Sequence, residues 1–484
     1  MRRNRRASSP CRARKARAAD GKAAAWRRAV ALLAGSALLL GQLALAPRVA
    51  RAQSAMPSVI RDAEIEELLR DYTRPILKAA GLTSQNVQVV ILNERVFNAF
   101  VADGHRIFVF VGALTDSVTP NQIIGVLAHE TGHIAGGHLA RMREQIANAQ
   151  TAAIIAMILS AGAIVAGAQS RDTSMMQAAP GVMMAPQETI RRTLLSYARG
   201  QEESADRAGV KFLTMTGQSP KGMLETFERF ANDTLFISRS VDPYLLTHPM
   251  PRERIATLQA IAQESPYFNK VDPPELQARH DMMRAKLYGF TDRYDTVLRR
   301  YPPSNTSLAA RYARAIATYR FGNPHEAIVQ IDSLIAAQPN NPYFYELKGQ
   351  ALLEAGKARE AIAPLHQAVQ LSNGNALIRM LLGQALVQSG DRTLVEQAIP
   401  ELRVALQKEP EAAMGYRVLA MAFGKKGDQA NADLSSAQAS FNEGDFKTAR
   451  QLAARAQRAF PSGSSGWLKA DDIVNFKPPK ISQN

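Results

Sequence analysis

The sequence constrains its own fold most strongly at residues 125–142, where GVLAHETGHIAGGHLARM holds three histidines and one glutamate within ten positions. His129 and His133 are four residues apart, which on an α-helix places them about 40° apart on one face, so both can reach one metal ion. Glu130 is offset by about 100° and can reach a metal-bound water instead. The preceding TPNQ supplies a capping threonine, a proline suited to the first helical position and a glutamine that completes a capping box, so the helix is expected to begin near residue 120.

Two histidines leave a catalytic zinc site incomplete, because such a site has three protein ligands and an open position for water. His138 is a poor third ligand, since on a continuous helix it lies about 180° from His129, on the far face. If the helix instead breaks at Gly136-Gly137, the metzincin pattern H-E-x-x-H-x-x-G-x-x-H requires a histidine where the chain has Leu139. We therefore expect His138 to take no part in metal binding.

A better third ligand lies downstream in ARGQEESADRAGVKFL, residues 198–213. On a helix Glu202 and Asp206 share one face, so Glu202 can bind the metal while Asp206 orients a ligand histidine. Taken alone, this stretch would more readily be a solvated acidic helix face. Downstream of an H-E-x-x-H segment, that interpretation is no longer the favoured one, so Glu202 is the candidate third ligand, and one zinc ion per chain is the expected cofactor.

The combination of HETGH with EESAD some seventy residues later, and NAF at 98–100, resembles the M48 family of zinc peptidases. The resemblance covers nearly the whole mature chain. It implies an α+β, mostly helical, zincin-like metallopeptidase domain with a small β-sheet. It also implies that His129, His133 and Glu202 bind zinc and that Glu130 is the catalytic base in peptide-bond hydrolysis.

A second segment, LLTHPMPRER at 245–254, is similar to the H-P-x-P-x-x-R segment of that family, at His248 and Arg254. Its two prolines stiffen the loop, so His248 could be held near the zinc as a removable fourth ligand or as a donor to the oxyanion. Arg254 is a further candidate for stabilising the oxyanion. On spacing alone, the segment would be a surface turn.

From about residue 308 the sequence repeats with a period of 34 residues, since GQAL at 349–352 recurs at 383–386. The pattern resembles the tetratricopeptide repeat and predicts an α-solenoid with a concave partner-binding surface. Three units fit well, and the pattern is irregular after residue 412. The expected order is a signal peptide, an M48-like domain, a helical connector, the repeats and a C-terminal tail, at residues 1–52, 53–270, 271–307, 308–461 and 462–484.

Residues 1–52 are expected to be an export signal, because a basic stretch precedes the apolar AVALLAGSALLLGQLALA and small residues fit cleavage near Ala52. An uncleaved membrane anchor is the alternative. The segment holds thirteen Lys or Arg and one acid, hence most of the net charge of +16, so no nucleic-acid partner is expected. The sole cysteine, Cys11, lies in this segment, so the mature chain has no disulfide, which fits a periplasmic location.

The uncharged run at 151–168 is just long enough to raise the question of a membrane span. Because metal ligands are predicted on both of its flanks, a single span is excluded. We expect a packed helix or lid, with peripheral membrane contact through 151–187 as the alternative.

The expected function is that of a zinc-dependent endopeptidase of the periplasm that cleaves misfolded or misassembled polypeptides. Substrate is expected to pair as an extended strand with a sheet edge formed by residues 105–111. The resemblance implies outer-membrane barrel precursors as substrates, and the outer-membrane assembly machinery as the partner of the repeats. The rival hypothesis is a chaperone or assembly adaptor that acts through the repeats and keeps a latent metal site capped by His248.

Overall fold

The computed structural model describes residues 58–147, 197–233, 248 and 252–478. The predicted export signal and the apolar run at 151–168 lie outside these residues, so both stay predictions. Within the described ranges, no helix combines the length and apolar character needed to cross a membrane.

A four-stranded sheet of order β1-β2-β4-β3 lies in the N-terminal half. Its strands are Val59–Ile60 (β1), Gln88–Leu92 (β2), Ala99–Val101 (β3) and Arg106–Phe110 (β4). β2 and β4 are parallel, while both outer strands run antiparallel to their neighbours. Gly104 adopts a φ of +80° between β3 and β4, a conformation that favours glycine.

The predicted sheet edge at 105–111 is wrong. β4 pairs with β2 on one side and with β3 on the other, so its backbone has no open edge. The outer strand on this side of the sheet is β3. The order of strands depends on pairing between distant segments, which local sequence patterns do not reveal.

Helices pack around this sheet. They are Ala63–Ala79 (α1), Val111–Asp116 (α2), Pro120–Ala135 (α3), Lys221–Asp233 (α6), Arg252–Gln263 (α7), Pro274–Thr291 (α8) and Tyr294–Arg300 (α9), with α4 and α5 described over 138–147 and 197–215 and a 3₁₀ turn at Thr83–Gln85. Helix α1 is amphipathic and buries one apolar face made of Ile65, Leu68, Leu69, Tyr72 and Ile76. These residues join β4 and α3 in one hydrophobic core.

Helix α3 begins at Pro120, as predicted, but its cap differs from the expected box. The Thr119 side chain makes no capping bond. Gln122 Oε1 instead accepts the N–H of Val118 at 2.7 Å, and Asp272 Oδ2 accepts the N–H of Asn121 at 2.8 Å. A backbone N–H group of the first turn therefore donates to a residue that is remote in sequence, and local patterns do not reveal such a partner.

The segment predicted as a connector contributes to two cores. Met283 and Leu287 of α8 lie in the core of the N-terminal half. Met282 packs with Tyr312 in the next hydrophobic cluster. Helix α8 is therefore a packed part of both halves rather than a simple connector.

The C-terminal half is an array of neighbouring helices. They are Leu308–Phe321 (α10), Pro324–Ala337 (α11), Pro342–Glu354 (α12), Ala358–Leu371 (α13), Ala376–Gln388 (α14), Arg392–Lys408 (α15), Ala413–Lys426 (α16), Gln429–Asn442 (α17), Phe446–Ala459 (α18) and Ser465–Asn475 (α19). Two helix pairs thus follow the three predicted units. The stretch predicted as a C-terminal tail contains α19, whose Ala470 and Ile473 pack against Ala449 and Ala453 of α18.

Candidate metal centre

Four side chains converge at one point between α3 and α5. His129, His133, Glu202 and His248 each offer one potential ligand atom, and these atoms lie within 4.8 Å of one another. His129 and His133 come from one face of α3, and Glu202 comes from α5. The three residues predicted as metal ligands are therefore brought together, with His248 beside them.

The spacing of these atoms suits a small tetrahedral ion. The two histidine Nε2 atoms are 3.1 Å apart. Glu202 Oε2 is 3.5 Å from His129 Nε2, and Glu202 Oε1 is 3.4 Å from His133 Nε2. Ligands bound at about 2.0–2.1 Å to one tetrahedral zinc lie about 3.3–3.4 Å from each other. Two imidazole nitrogens and a carboxylate oxygen are also ligand types that zinc accepts.

Small residues let the two ligand helices approach. A Cβ on Gly132, inside the H-E-x-x-H segment, would lie 2.7 Å from the carbonyl oxygen of Ala205. A Cβ on Gly209 would lie 3.2 Å from the backbone nitrogen of His129. Ala205 and Gly209 follow Glu202 by three and seven residues, so all three share one face of α5. Close contact between the two backbones therefore sets the distance of Glu202 from the histidines.

Asp206 and Arg254 lie behind the ligands and are buried. Asp206 Oδ1 is 2.9 Å from His129 Nδ1, the arrangement predicted for a residue that orients a ligand histidine. Arg254 donates to Asp206 through Nε at 2.6 Å and Nη2 at 2.8 Å, and its Nη1 is 2.9 Å from Glu202 Oε2. Arg254, which the sequence offered as a group for the oxyanion, thus contacts the carboxylates of Asp206 and Glu202.

Glu130 and His248 face each other beside the ligand group. Glu130 is 1% exposed, and neither of its carboxylate oxygens has a hydrogen-bond partner among the described residues. His248 Nε2 is 3.4 Å from Glu130 Oε1. Burial raises the pKa of Glu130 to about 7, as expected for a carboxylate in a poorly solvated pocket. A buried carboxylate with this pKa is suited to proton transfer.

The histidines differ in their protonation. Burial lowers the pKa of His133 well below its ordinary value and that of His248 to about 4, so both rings are neutral at pH 7. Burial also acts against the charged form of His129, but hydrogen bonds to Asp206 and Glu202 outweigh it and raise the pKa to about 9. Bound cations compete with protons for such nitrogens, so metal binding at His129 would displace a proton.

The prediction that His138 lies on the far face is wrong. Helix α3 ends at Ala135, and Gly137, with a φ of +60°, turns the chain into α4. This turn brings His138 Nδ1 to 3.0 Å from His133 Nδ1. His138 stays outside the ligand group but contacts one of its members. The Gly136-Gly137 pair was the sequence signal that could have revealed this position of His138. A glycine with positive φ ends a helix and turns the chain away from the path that helical geometry predicts.

The helix with H-E-x-x-H, the glutamate from a later helix and the buried Glu130 form the arrangement expected of a metallopeptidase centre. Residues 60–262 match the family described as Peptidase family M48. This part of the chain is therefore an M48 metallopeptidase domain, a class whose members act through a divalent metal ion.

The chain is similar to several named proteases. It is 26% identical to the Beta-barrel assembly-enhancing protease of Escherichia coli strain K12, over 69% of this chain and 68% of that protein. It is 24% identical to a Putative beta-barrel assembly-enhancing protease of Vibrio cholerae, over 60% of this chain and 58% of that protein. Metalloprotease YcaL of E. coli is 30% identical over 33% of this chain and 59% of its own length. The first two matches extend beyond the metallopeptidase domain.

Proposed function

We propose that this chain is a zinc-dependent endopeptidase of the periplasm that degrades misfolded or misassembled outer-membrane proteins. The observation that carries the proposal is the convergence of His129, His133 and Glu202 beside the buried carboxylate of Glu130, whose oxygens have no hydrogen-bond partner among the described residues. Within an M48 domain, this arrangement contains the groups that hydrolysis of a peptide bond requires.

His129, His133 and Glu202 would hold the ion. Zinc, when bound, lowers the pKa of a water to roughly 7 and polarises a carbonyl group. Glu130 would take the proton of the attacking water and deliver it to the leaving amine, for which its raised pKa suits it. His248 would donate to the oxyanion of the substrate.

Arg254 and Asp206 would act on the ligands rather than on the substrate. Asp206 Oδ1, which lies 2.9 Å from His129 Nδ1, would fix the ring with Nε2 toward the ion. Arg254 holds both Asp206 and Glu202. We therefore assign Arg254 as a positioning residue, in place of the oxyanion role that the sequence suggested.

The substrate would pair with the outer edge of β3. The carbonyl of Asn98 accepts the N–H of Phe110 at 2.9 Å, and backbone groups of successive residues in an antiparallel pair alternate in direction. The N–H and C=O groups of Ala99 and Val101 therefore point away from β4. Backbone pairing on this edge would hold an extended segment of any sequence, which favours unfolded substrates.

The names of the relatives support outer-membrane proteins as the clients, and the sequence supports the periplasm as the location of this chain. The E. coli and V. cholerae relatives are named for enhancing beta-barrel assembly. The basic and apolar stretch within residues 1–52 fits export from the cytoplasm. The helical array from Leu308 to Asn475 would bind barrel precursors or the outer-membrane assembly machinery.

One observation favours the second candidate, an assembly adaptor with a latent metal site. His248 lies within the ligand group, where its ring would fill the position that a catalytic zinc keeps open for water. Substitution of His248 by alanine separates the two roles. Faster degradation would support a cap that must leave, whereas slower degradation would support a donor to the oxyanion.

The test of the proposed function is the variant Glu130→Gln, which removes the base but keeps the size of the side chain. The matched control is Glu203→Gln, the same chemical change at an exposed residue next to a ligand. Degradation of a misassembled barrel protein should fall by about 10²–10⁴-fold in Glu130→Gln alone, while client binding and zinc content stay unchanged. Equal rates in Glu130→Gln and the parent would refute the peptidase mechanism. Glu202→Ala should lose most of the bound zinc.

A further inference from the structure

Both histidines of α3 present their second ring nitrogen to a protein side chain, but the two partners differ. Asp206, a carboxylate, lies 2.9 Å from His129 Nδ1. His138, an imidazole, lies 3.0 Å from His133 Nδ1. Partners of this kind fix the tautomer and orientation of a ligand histidine. From this parallel we infer that His138 is the positioning residue of His133, an inference that rests on the proposed zinc site.

The orientation of the His133 ring determines which of its two nitrogens faces the metal ligands and which faces His138. Nε2 faces His129 Nε2 and Glu202 Oε1, on the ligand side. An imidazole that binds a metal through Nε2 carries its proton on Nδ1. His133 Nδ1–H therefore donates to His138 Nδ1, and His138 carries its own proton on Nε2. The bond holds the ring of His133 in the orientation that points Nε2 at the ion.

The turn before α4 is shaped to admit the His138 ring. A Cβ on Gly136 would lie 2.2 Å from His138 Nε2, so the ring occupies the space that a side chain at 136 would take. Gly137 supplies the positive φ that turns the chain back. The His138 side chain is consequently buried, with 4% of the residue exposed. The contact between His138 and His133 thus depends on both glycines, because one leaves space for the ring and the other turns the chain.

A second bond joins His138 to the other ligand helix. Gln201 Nε2 donates to the carbonyl oxygen of His138 at 3.2 Å, and Gln201 directly precedes Glu202 in α5. His138 therefore contacts His133 through its ring and α5 through its backbone. Its displacement would loosen both helices that carry ligands.

The test compares two replacements of the ring in the full mature chain. His138→Leu removes the acceptor, whereas His138→Asn keeps an acceptor oxygen near the position of Nδ1. Zinc affinity, measured by competition with a chelator, should weaken about 10–100-fold in the leucine variant and recover in the asparagine variant. When cobalt replaces zinc, the visible absorption spectrum should differ from that of the parent in the leucine variant alone. His366→Leu, at an exposed histidine of the repeats, is the control.

Gly136→Ala tests the same contact without altering the imidazole. Its methyl group must displace the ring, so zinc affinity should fall here too, while Gly424→Ala, where a Cβ has open space, should keep it. Thermal unfolding of the metal-free proteins shows whether each variant is folded. Parental zinc affinity in both His138→Leu and Gly136→Ala overturns the inference. Parental zinc affinity in His133→Ala would instead overturn the proposed metal site.

Discussion

Helices approach most closely at glycines in both halves of the chain, but the glycines meet different neighbours. In the metallopeptidase domain, a Cβ on Gly132 would meet the backbone of Ala205. In the repeats, a Cβ on Gly349 would come within 2.3 Å of the Leu365 side chain, and one on Gly383 within 2.6 Å of that of Leu402. The repeat sequence GQAL thus recurs because the same close contact recurs.

This difference shows how each half tolerates change. A leucine side chain can adopt another rotamer, and the shift then stays within one repeat interface, since each repeat contacts only its neighbours. A carbonyl group in a helix cannot move unless the helix moves. Because that helix also carries Glu202, close packing in the metallopeptidase domain is coupled to the geometry of the site.

The largest expected effect is that of Gly132→Ala. Its methyl group would force α5 away from α3, so Glu202 would leave the position it shares with the histidines. A displacement of about 1 Å costs on the order of 10²-fold in rate, and we expect such a loss in kcat/KM together with weaker zinc binding. The measurement is peptide hydrolysis at saturating zinc. A variant with parental activity would show that α5 can adjust without moving its ligand.

Gly383→Ala should have a smaller and purely structural effect. Overpacking against Leu402 costs about 1–3 kcal/mol, and the better helix propensity of alanine returns up to about 1 kcal/mol. We expect unfolding at a slightly lower denaturant concentration, with hydrolysis of a short peptide unchanged. If peptide hydrolysis falls as much as in Gly132→Ala, the two halves are coupled more tightly than their packing suggests.

The sequence predicted well which residues of the site share one face of a helix, because that depends only on helical geometry. The spacing of His129 and His133, and of Glu202 and Asp206, determines which side chains share a face, whatever lies opposite. The start of α3 at Pro120 followed from local chemistry as well. Both predictions depend only on residues that lie within one or two helical turns of each other.

The predictions that failed depend on contacts between distant segments. The order of strands placed β4 inside the sheet, because its pairing with β2 joins residues that are separated in sequence. His138 was assigned to the wrong face, because the positive φ of Gly137 turns the chain and so changes the position of the next residue, His138. The ion pairs of Arg254 with Glu202 and Asp206 also join distant segments, and the sequence did not predict them.

The two halves meet at a buried ionic cluster. Lys286 Nζ of α8 is 2.8 Å from Asp62 Oδ2 and 3.2 Å from Glu64 Oε2, both near the start of α1. Glu346 of α12 brings a third carboxylate to 3.8 Å from the same ammonium. Tyr312 donates to Glu64 Oε2 at 2.9 Å. One ammonium thus faces three acids across the boundary between the metallopeptidase domain and the repeats.

Substitution of Glu346 by glutamine should give the smallest effect, and a stabilising one. Burial raises the pKa of Glu346 to about 8, above its unfolded value of roughly 4.3. The folded state therefore binds more protons than the unfolded state between these values, and stability falls as the pH rises through this window. Glutamine cannot ionise, so Glu346→Gln should match the parent near about pH 4 and exceed it by on the order of 1 kcal/mol near about pH 9.

Thermal unfolding at the two pH values measures this difference, and Glu396→Gln, at an exposed glutamate of α15, is the control that should change neither. A destabilised Glu346→Gln at high pH would mean that the ionised carboxylate pairs with Lys286 more strongly than burial opposes it. The repeats would then be held to the metallopeptidase domain by charge. The expected result would mean that the contact is held by packing around a protonated acid, as in the apolar interfaces between repeats.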